Sequence, residues 1–376
     1  MTAFSLDALR RYPDVEAANL FASDASDRLI LDEASAALAG APAGGVAVIG
    51  DRYGALTLGA AALHGAIAIR THQDGLTGER ALAANADRLG LSAYMPHGLG
   101  DALVSGARVV LLQLPRSLDE LDEIAGVVAT FADPQVQLFA GGRVKHMSRS
   151  MNDVLGRWFG VVGAGLARQK SRVLVASEPR PADRRPAARR PASEQHADIG
   201  LTVCAHGGAF AGASIDIGTR FLLESADRMA SAAASAVDLG CGTGVLAVAL
   251  ARARPALHVT ATDDSASAVA SARATAVAND VADRVSVIRD DAASSLAEGC
   301  TDLVVLNPPF HVGATVHSGV ALRLFADAAR VLRPGGELWA VWNSHLMYRP
   351  VLERIVGPTR QIARNAKFTV TVSTKP

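Results

Sequence analysis

In the second half of the chain, short apolar runs alternate with longer stretches of helical spacing. AVDLGCGTGVLAVALA runs from an apolar segment through a glycine-rich turn into a helix. HVTATD then predicts a strand, SASAVASARATAVAND a helix, and RVSVIRDD and TDLVVLNPPF two further strands. Strands alternating with helical segments predict a doubly wound, mostly parallel α/β sheet. The first half repeats the plan. GVAVIGDRYGALTLGAAAL has the same strand, turn and helix, AIAIRTHQDGLTGERALAANADRLG follows as strand and helix, and ARVVLLQLP as strand. A recurrence on this scale predicts duplication of a whole Rossmann-like domain, since solenoid repeats are much shorter.

The copies differ where ligands bind such folds. Gly240, Gly242 and Gly244 have only Gly50 and Gly54 as rough counterparts. Asn307-Pro308-Pro309-Phe310 is matched by Gln113-Leu114-Pro115-Arg116. A fold kept without these residues predicts a degenerate first domain, residues 1–176, in a docking or scaffold role. The stretch from Ser177 to Gly200 is rich in Pro, Ala and Arg, lacks apolar periodicity and reads as a linker or long exposed loop. Residues 201–376 then form the second domain.

Composition narrows the function. Of 376 residues 49% are apolar, enough for each half to bury a core. The 37 basic and 37 acidic residues cancel, which excludes nucleic-acid binding through overall charge and leaves only local basic surface. Such a surface is visible between Gly141 and Arg190, where twelve Arg and Lys face three acids. It reads either as a solvated linker or as a strip contacting phosphates, with Arg184, Arg185, Arg189 and Arg190 as its last members. Cys204, Cys241 and Cys300 form no CxxC pair, so neither a disulfide framework nor a metal site is expected, and a reducing cytoplasm fits. No apolar leader and no membrane-length apolar run is present, so the chain is expected to be soluble and cytoplasmic.

Three glycines spaced by two, entering a helix, let a ligand approach backbone N–H groups at a helix N-terminus. GxGxG differs from the dinucleotide pattern GxGxxG, and Asp238 just before it favours S-adenosylmethionine over a nicotinamide cofactor. Asp238 is expected to order the turn and attract a sulfonium; Gly240, Gly242, Thr243 and Gly244 form the cradle. Asp263, at the end of the next strand, stands where an acid can take both ribose hydroxyls, with Asp264 as neighbour and competitor. After the third strand, Asp290 or Asp291 could accept from an adenine amino group, or the two could simply be solvated; Asp291 is the candidate carried forward. At the end of the fourth strand, Asn307 and the Pro308 carbonyl can accept the two hydrogens of an amino group on a base ring. Pro308 and Pro309 stiffen the chain, and Phe310 offers a face for a base taken out of its stack. His311 could line the same pocket or be structural, and Cys241 reads as a small apolar filler.

With these motifs in order, the second half resembles the class I S-adenosylmethionine methyltransferases of the NPPF/Y type. Within them the chain resembles the ribosomal RNA guanine-N2 methyltransferases, of the small-subunit methyltransferase C type and their large-subunit relative, the G type. The resemblance covers nearly the whole chain. It is carried by Gly208-Ala209-Phe210 with Ser214 to Leu223, VDLGCGTGVLA, Ala268-Val269, Ser271 to Thr275 with Asn279, and NPPFH. Asn343-Ser344-His345-Leu346, with Ser344 a departure from the family's Arg, and Asn365-Ala366-Lys367-Phe368 complete it. It implies two tandem class I methyltransferase domains, the first without S-adenosylmethionine and holding RNA or the catalytic domain. It also implies methylation of a guanine 2-amino group, with ribosomal RNA or a ribosomal subunit as partner. The rival readings are adenine N6 or a protein glutamine amide as acceptor, or a non-catalytic RNA-binding assembly factor. The Arg-rich linker is not a feature of this family, and the resemblance assigns no role to KHMSRSMNDVLGRWFG.

Overall fold

A computed structural model describes residues 4–187, 190–308 and 314–376, with side chains from 319 onward in the last stretch. Arg189, Pro309, Phe310 and His311 lie outside the described residues. The chain divides into two compact units, Met1–Arg190 and Pro191–Pro376.

In the first unit the strands are β1 (Val46–Ile49), β2 (Ile69–His72), β3 (Tyr94–Pro96), β4 (Val109–Gln113), β5 (Gln137–Arg143), β6 (Phe159–Ala164) and β7 (Ser171–Pro179). They form one sheet in the order β3-β2-β1-β4-β5-β7-β6. The pairs from β3 to β5 are parallel, and β7 and β6 close the sheet antiparallel. Helices cover both faces, so the central strands read as continuous apolar runs. Val46, Val48, Val109 and Leu111 pack with the helices Ala25–Ala39, Ala55–His64 and Leu76–Leu89, while Ala47, Ile49, Val110 and Leu112 pack with Leu118–Phe131 and Arg149–Trp158. The segment KHMSRSMNDVLGRWFG, to which the sequence assigned no role, thus supplies part of this core through Met151, Leu155 and Trp158.

The second unit adds β8 (Ala192–His196), β9 (Leu201–Ala205), β10 (Ser235–Leu239), β11 (His258–Asp263), β12 (Val285–Arg289), β13 (Thr301–Leu306), β14 (Leu332–Asn343), β15 (Thr359–Arg364) and β16 (Phe368–Thr374). The sheet order β12-β11-β10-β13-β14-β16-β15 repeats that of the first unit strand for strand. Both halves therefore adopt the doubly wound, mostly parallel arrangement that their alternation predicts.

The stretch read as a linker carries more structure than its composition announces. β7 extends to Pro179, and β8 pairs antiparallel with β9. In β8 only His196 is buried, so the pairing rests on backbone groups and leaves no apolar pattern in the sequence. β9 is also held along the helix Ala266–Ala278. Asn279 exchanges two hydrogen bonds with the Thr202 backbone, Thr275 two with Cys204, and Ser271 Oγ accepts the His206 N–H. Three polar side chains spaced by four thus act as a rail for a strand.

Candidate active site

The site lies at the carboxyl ends of β10, β11 and β13, where open α/β sheets bind ligands. After β10 the chain turns through three left-handed glycines, Gly240 (φ 72°), Gly242 (φ 54°) and Gly244 (φ 78°). The Gly240 and Cys241 N–H groups donate to the Thr262 carbonyl at 2.8 and 2.9 Å, holding the turn against β11. Asp263 closes it: Oδ2 accepts the Gly242 N–H at 2.9 Å, and Oδ1 the Ser265 N–H at 2.9 Å.

The three glycines serve two purposes. A Cβ at Gly240 or Gly242 would meet nothing within 4 Å, because both face open space. A Cβ at Gly244 would lie 2.9 Å from the Ala272 Cβ, so this glycine lets the helix Val245–Ala253 pack against Ala266–Ala278. A cavity of about 390 Å³ opens beside the turn, with Gly240, Gly242, Thr243, Asp263, Asn307 and Pro308 among its lining residues. Asp264 and Asp291 line it too.

Two candidates are not brought to the cavity wall. Gly244 is the packing residue just described. Asp238 is fully buried in β10, where its Oδ2 accepts the Ala247 N–H at 3.0 Å and orders the helix start rather than the glycine turn. Burial, with the charge of Asp263, pushes its pKa up to about 7. The acidic pair after β12 is resolved by its contacts. Asp290 is turned into its own loop, accepting from Ser294 Oγ at 2.6 Å and from the Ser295 N–H and Oγ at 2.8 and 2.7 Å. Asp291 lines the cavity and pairs with Arg323 at 3.0 Å. Cys241 is buried, and that burial together with Asp263 and Asp238 raises its thiol pKa well above the ordinary value, which suits a filler and not a nucleophile.

Asn307 is held by two residues of the segment Ser214 to Leu223, which carried the family resemblance but had been given no contact with Asn307. Its Nδ2 donates to Asp216 Oδ2 at 3.0 Å and to Thr219 Oγ1 at 2.9 Å. Asp216 is itself fixed as the N-cap of the helix Ile217–Leu223, accepting the Gly218 and Thr219 N–H groups. A carboxylate only accepts, so Asp216 must meet the amino end of the amide. That leaves Asn307 Oδ1 as the free end, and it is buried with no hydrogen-bond partner among the described residues. An unsatisfied buried acceptor costs about 1–3 kcal/mol. Gly218 keeps the space open: a Cβ there would lie 2.9 Å from Asp216 Oδ2 and 3.2 Å from Asn307 Oδ1. The sequence signal for this clamp was an Asp at a helix start with Thr three residues on. Pro309, Phe310 and His311, the rest of the predicted acceptor site, are outside the described residues.

No helix among the described residues is long and apolar enough to cross a membrane. Among them no group of three or more His, Cys, Asp or Glu is arranged to hold a metal ion.

Residues 200–372 match the family model described as methyltransferase small domain, and residues 1–180 that described as RLMG N-terminal domain. Over 375 residues the chain is 36% identical to ribosomal RNA large subunit methyltransferase G of Pseudomonas paraeruginosa, covering 98% of this chain and 97% of the relative. It is equally 36% identical over 375 residues to the protein of that name from Streptomyces griseus, covering 96% and 95%. Among solved structures, a 16S rRNA N2 methyltransferase from T. thermophilus in complex with AdoMet and guanosine matches with a TM-score of 0.73 at 23% identity. That match covers 96% of this chain and 97% of the other, and so supports the two-unit fold. At this identity over its full length, the chain belongs to the ribosomal RNA large subunit methyltransferase G family.

Proposed function

We propose that the second unit transfers a methyl group from S-adenosylmethionine to the exocyclic N2 of a guanine in ribosomal RNA. The observation that carries this reading is Asn307 Oδ1, a buried acceptor at the end of β13 with no partner among the described residues. The relatives' names support ribosomal RNA of the large subunit, and the T. thermophilus complex, with its N2 chemistry and guanosine, supports the acceptor atom.

The cavity fits the cofactor in its chemistry. Gly240 and Gly242 leave their side of it open, and Asp263, on the cavity wall at the end of β11, is the candidate for the ribose hydroxyls. Asp291 is the candidate for the adenine edge. Bound S-adenosylmethionine supplies an electrophilic methyl group. The chain supplies position and acceptors. An amino group on a base ring is a poor nucleophile because its lone pair is delocalised. Accepting one of its hydrogens at Asn307 Oδ1 and the other at the Pro308 carbonyl favours the state in which positive charge grows on nitrogen. The first unit, with Arg52 and Gln73 in place of Gly242 and Asp263, is read as binding no S-adenosylmethionine. One cofactor per chain is therefore expected by calorimetry.

The deciding test is nucleoside mass spectrometry of ribosomal RNA, from cells lacking the protein, after incubation with the protein and S-adenosylmethionine. N2-methylguanosine supports the reading. N6-methyladenosine, or methylation of a protein glutamine, replaces it with a rival, and no transfer despite cofactor binding leaves an assembly factor.

Two further expectations arise here. With its pKa near 7, Asp238 is protonated in a fraction of molecules at neutral pH. A cation in the cavity lowers that pKa. Binding of cationic S-adenosylmethionine near pH 7 should therefore release part of a proton, and S-adenosylhomocysteine, which lacks the sulfonium, should release less. Calorimetry in buffers of different ionisation enthalpy measures both, and equal release would take Asp238 out of the cofactor's field.

Phe310, following two stiff prolines, is assigned to stacking on the target base. Such stacking is worth about 1–3 kcal/mol. Phe310→Ala should thus cost roughly ten- to a hundredfold in kcat/KM for RNA, while Phe310→Tyr is tolerated and cofactor affinity hardly moves. Lost cofactor binding, with RNA turnover intact at saturating cofactor, would instead put the ring against the cofactor.

A further inference from the structure

The first unit keeps the architecture of the turn and changes what lines it. Gly50 donates to the His72 carbonyl at 2.9 Å, as Gly240 does to Thr262 at 2.8 Å. Two residues on, Arg52 at φ 58° stands where Gly242 stands at φ 54°. Its N–H donates to Gln73 Oε1 at 2.7 Å, repeating the Gly242 to Asp263 bond with a neutral partner. At the end of β4, Gln113 Nε2 donates to Asp27 as Asn307 Nδ2 does to Asp216. Arg116 follows Gln113 at the spacing at which Phe310 follows Asn307. Guanidinium groups have therefore replaced an open glycine and an aromatic ring.

Beside these residues lies a cavity of about 310 Å³, with Arg11, Arg52, Arg116, Arg143, Lys145 and His146 on its wall. Asp24, Asp27 and Asp51 line it as well, each held by N–H groups of its own unit. Asp51 accepts the Leu56 and Thr57 N–H groups at 2.7 and 2.8 Å, Asp27 the Asp24 N–H at 2.7 Å, and Asp24 the Ser26 N–H at 2.6 Å. The cations are less committed. Arg52, Arg116 and Lys145 are exposed. Of the five Arg and Lys on the wall, Arg11 pairs with Asp14 at 2.7 Å and Arg143 with Asp24 at 3.9 Å, while Arg52, Arg116 and Lys145 pair with no carboxylate among the described residues; the Arg143 Nε is buried without a partner there. Slight burial and the charges of Arg116, Lys145, Arg143 and Arg52 hold the pKa of His146 below the ordinary value. Elsewhere in the basic stretch three cations form ion pairs inside the unit: Arg157 with Asp122 at 2.9 Å, Arg168 with Glu33 at 3.0 Å, and Arg190 with Asp119 at 2.6 Å.

We propose that this cavity is a binding site for a phosphate ester. Several guanidinium and ammonium groups lining one concave site, three of them without a carboxylate partner among the described residues, select an anion with several acceptor oxygens. Loss of the open glycine and of the acid at position 73 removes what an uncharged nucleoside would need. The phosphate can come from the RNA backbone or from a free nucleotide; the first source rests on the function proposed above, the site itself does not.

The test uses the full chain with Arg52→Gln/Arg116→Gln, two exposed changes that leave the Arg52 backbone bond in place, and Arg168→Gln as a paired-cation control. Binding to a ribosomal RNA fragment is measured against salt, and guanosine monophosphate is titrated separately. If the backbone is the source, the double variant binds RNA roughly ten- to a hundredfold more weakly and its log affinity against log salt flattens by about two. The control keeps the parent slope, and cofactor affinity and Tm are unchanged. If a free nucleotide is the source, the RNA slope stays and guanosine monophosphate binding is lost in the double variant. Unchanged binding of both ligands overturns the site. A parent protein that binds phosphate through Arg52 and Arg116 yet methylates no ribosomal RNA would overturn the proposed function and leave the site standing.

Discussion

Asn307→Ala should lower the methylation rate about a hundredfold or more, the scale on which one preorganised polar partner of a developing charge contributes, while S-adenosylmethionine affinity changes little. The argument rests on how the amide is held. Asp216 and Thr219 both take its Nδ2 end, so its Oδ1 end is presented without a rotation at the moment of reaction. A companion variant separates this role from packing. Asp216→Asn keeps the shape and remains a good helix N-cap, so the fold should be unaffected. An amide at 216 can turn its own NH2 toward Asn307 Oδ1 and use up the acceptor. Its kcat should fall at least about tenfold with KM for RNA and cofactor affinity nearly unchanged. Near-parent rates for both variants would make Asn307 a turn residue only, and loss of cofactor binding in Asn307→Ala would place the amide on the cofactor instead.

The clamp also marks where the sequence stopped being legible. Asp216 and Asn307 are 91 positions apart, and no local pattern links a helix cap to a strand end at that distance. The parallel strands were legible because burial on both faces leaves short, nearly unbroken apolar runs such as Thr301–Leu306. β8 was not, because its pairing is made by backbone groups under exposed polar side chains. Ser271, Thr275 and Asn279 have the spacing of a solvated helix face, yet Ser271 and Thr275 are fully buried against β9. In the cofactor turn, spacing identified the glycines and the acids but not which side of the turn each serves. Gly242 opens the cavity and Gly244 packs two helices, and only Cβ positions separate them. Asp238 and Asp263 are alike as letters at strand ends, and one is sealed under the helix start while the other reaches the cavity.

The shared strand order makes the first unit a natural control for the second. It has kept the strand order, the anchoring of the turn to the next strand and the amide–carboxylate contact, all of which hold the backbone in place. It has changed the positions whose side chains face the cavity. What remains is the part of the site that the fold needs, and what differs is the part that a ligand needs.

That division gives the second large expected effect. Gly242→Arg should abolish S-adenosylmethionine binding, and with it methylation, without unfolding the protein. A left-handed non-glycine residue costs about 1–2 kcal/mol, and the first unit bears it: Arg52 sits at φ 58° in the equivalent turn with its N–H bond intact. Gly242 has nothing within 4 Å of where a Cβ would stand, so an arginine meets no packing obstacle and extends into the open side of the cavity. The guanidinium also brings a positive charge toward a ligand that itself carries a sulfonium. Gly240→Arg, at φ 72° and equally open, should behave alike, whereas Gly244→Arg should destabilise the fold by driving into Ala272. Calorimetry with S-adenosylmethionine and a thermal melt on each variant distinguish these outcomes. A Gly242→Arg protein that melts near the parent and binds no cofactor meets the expectation. One that still binds with parent affinity would move the cofactor off this turn and remove the basis for assigning the cavity to it.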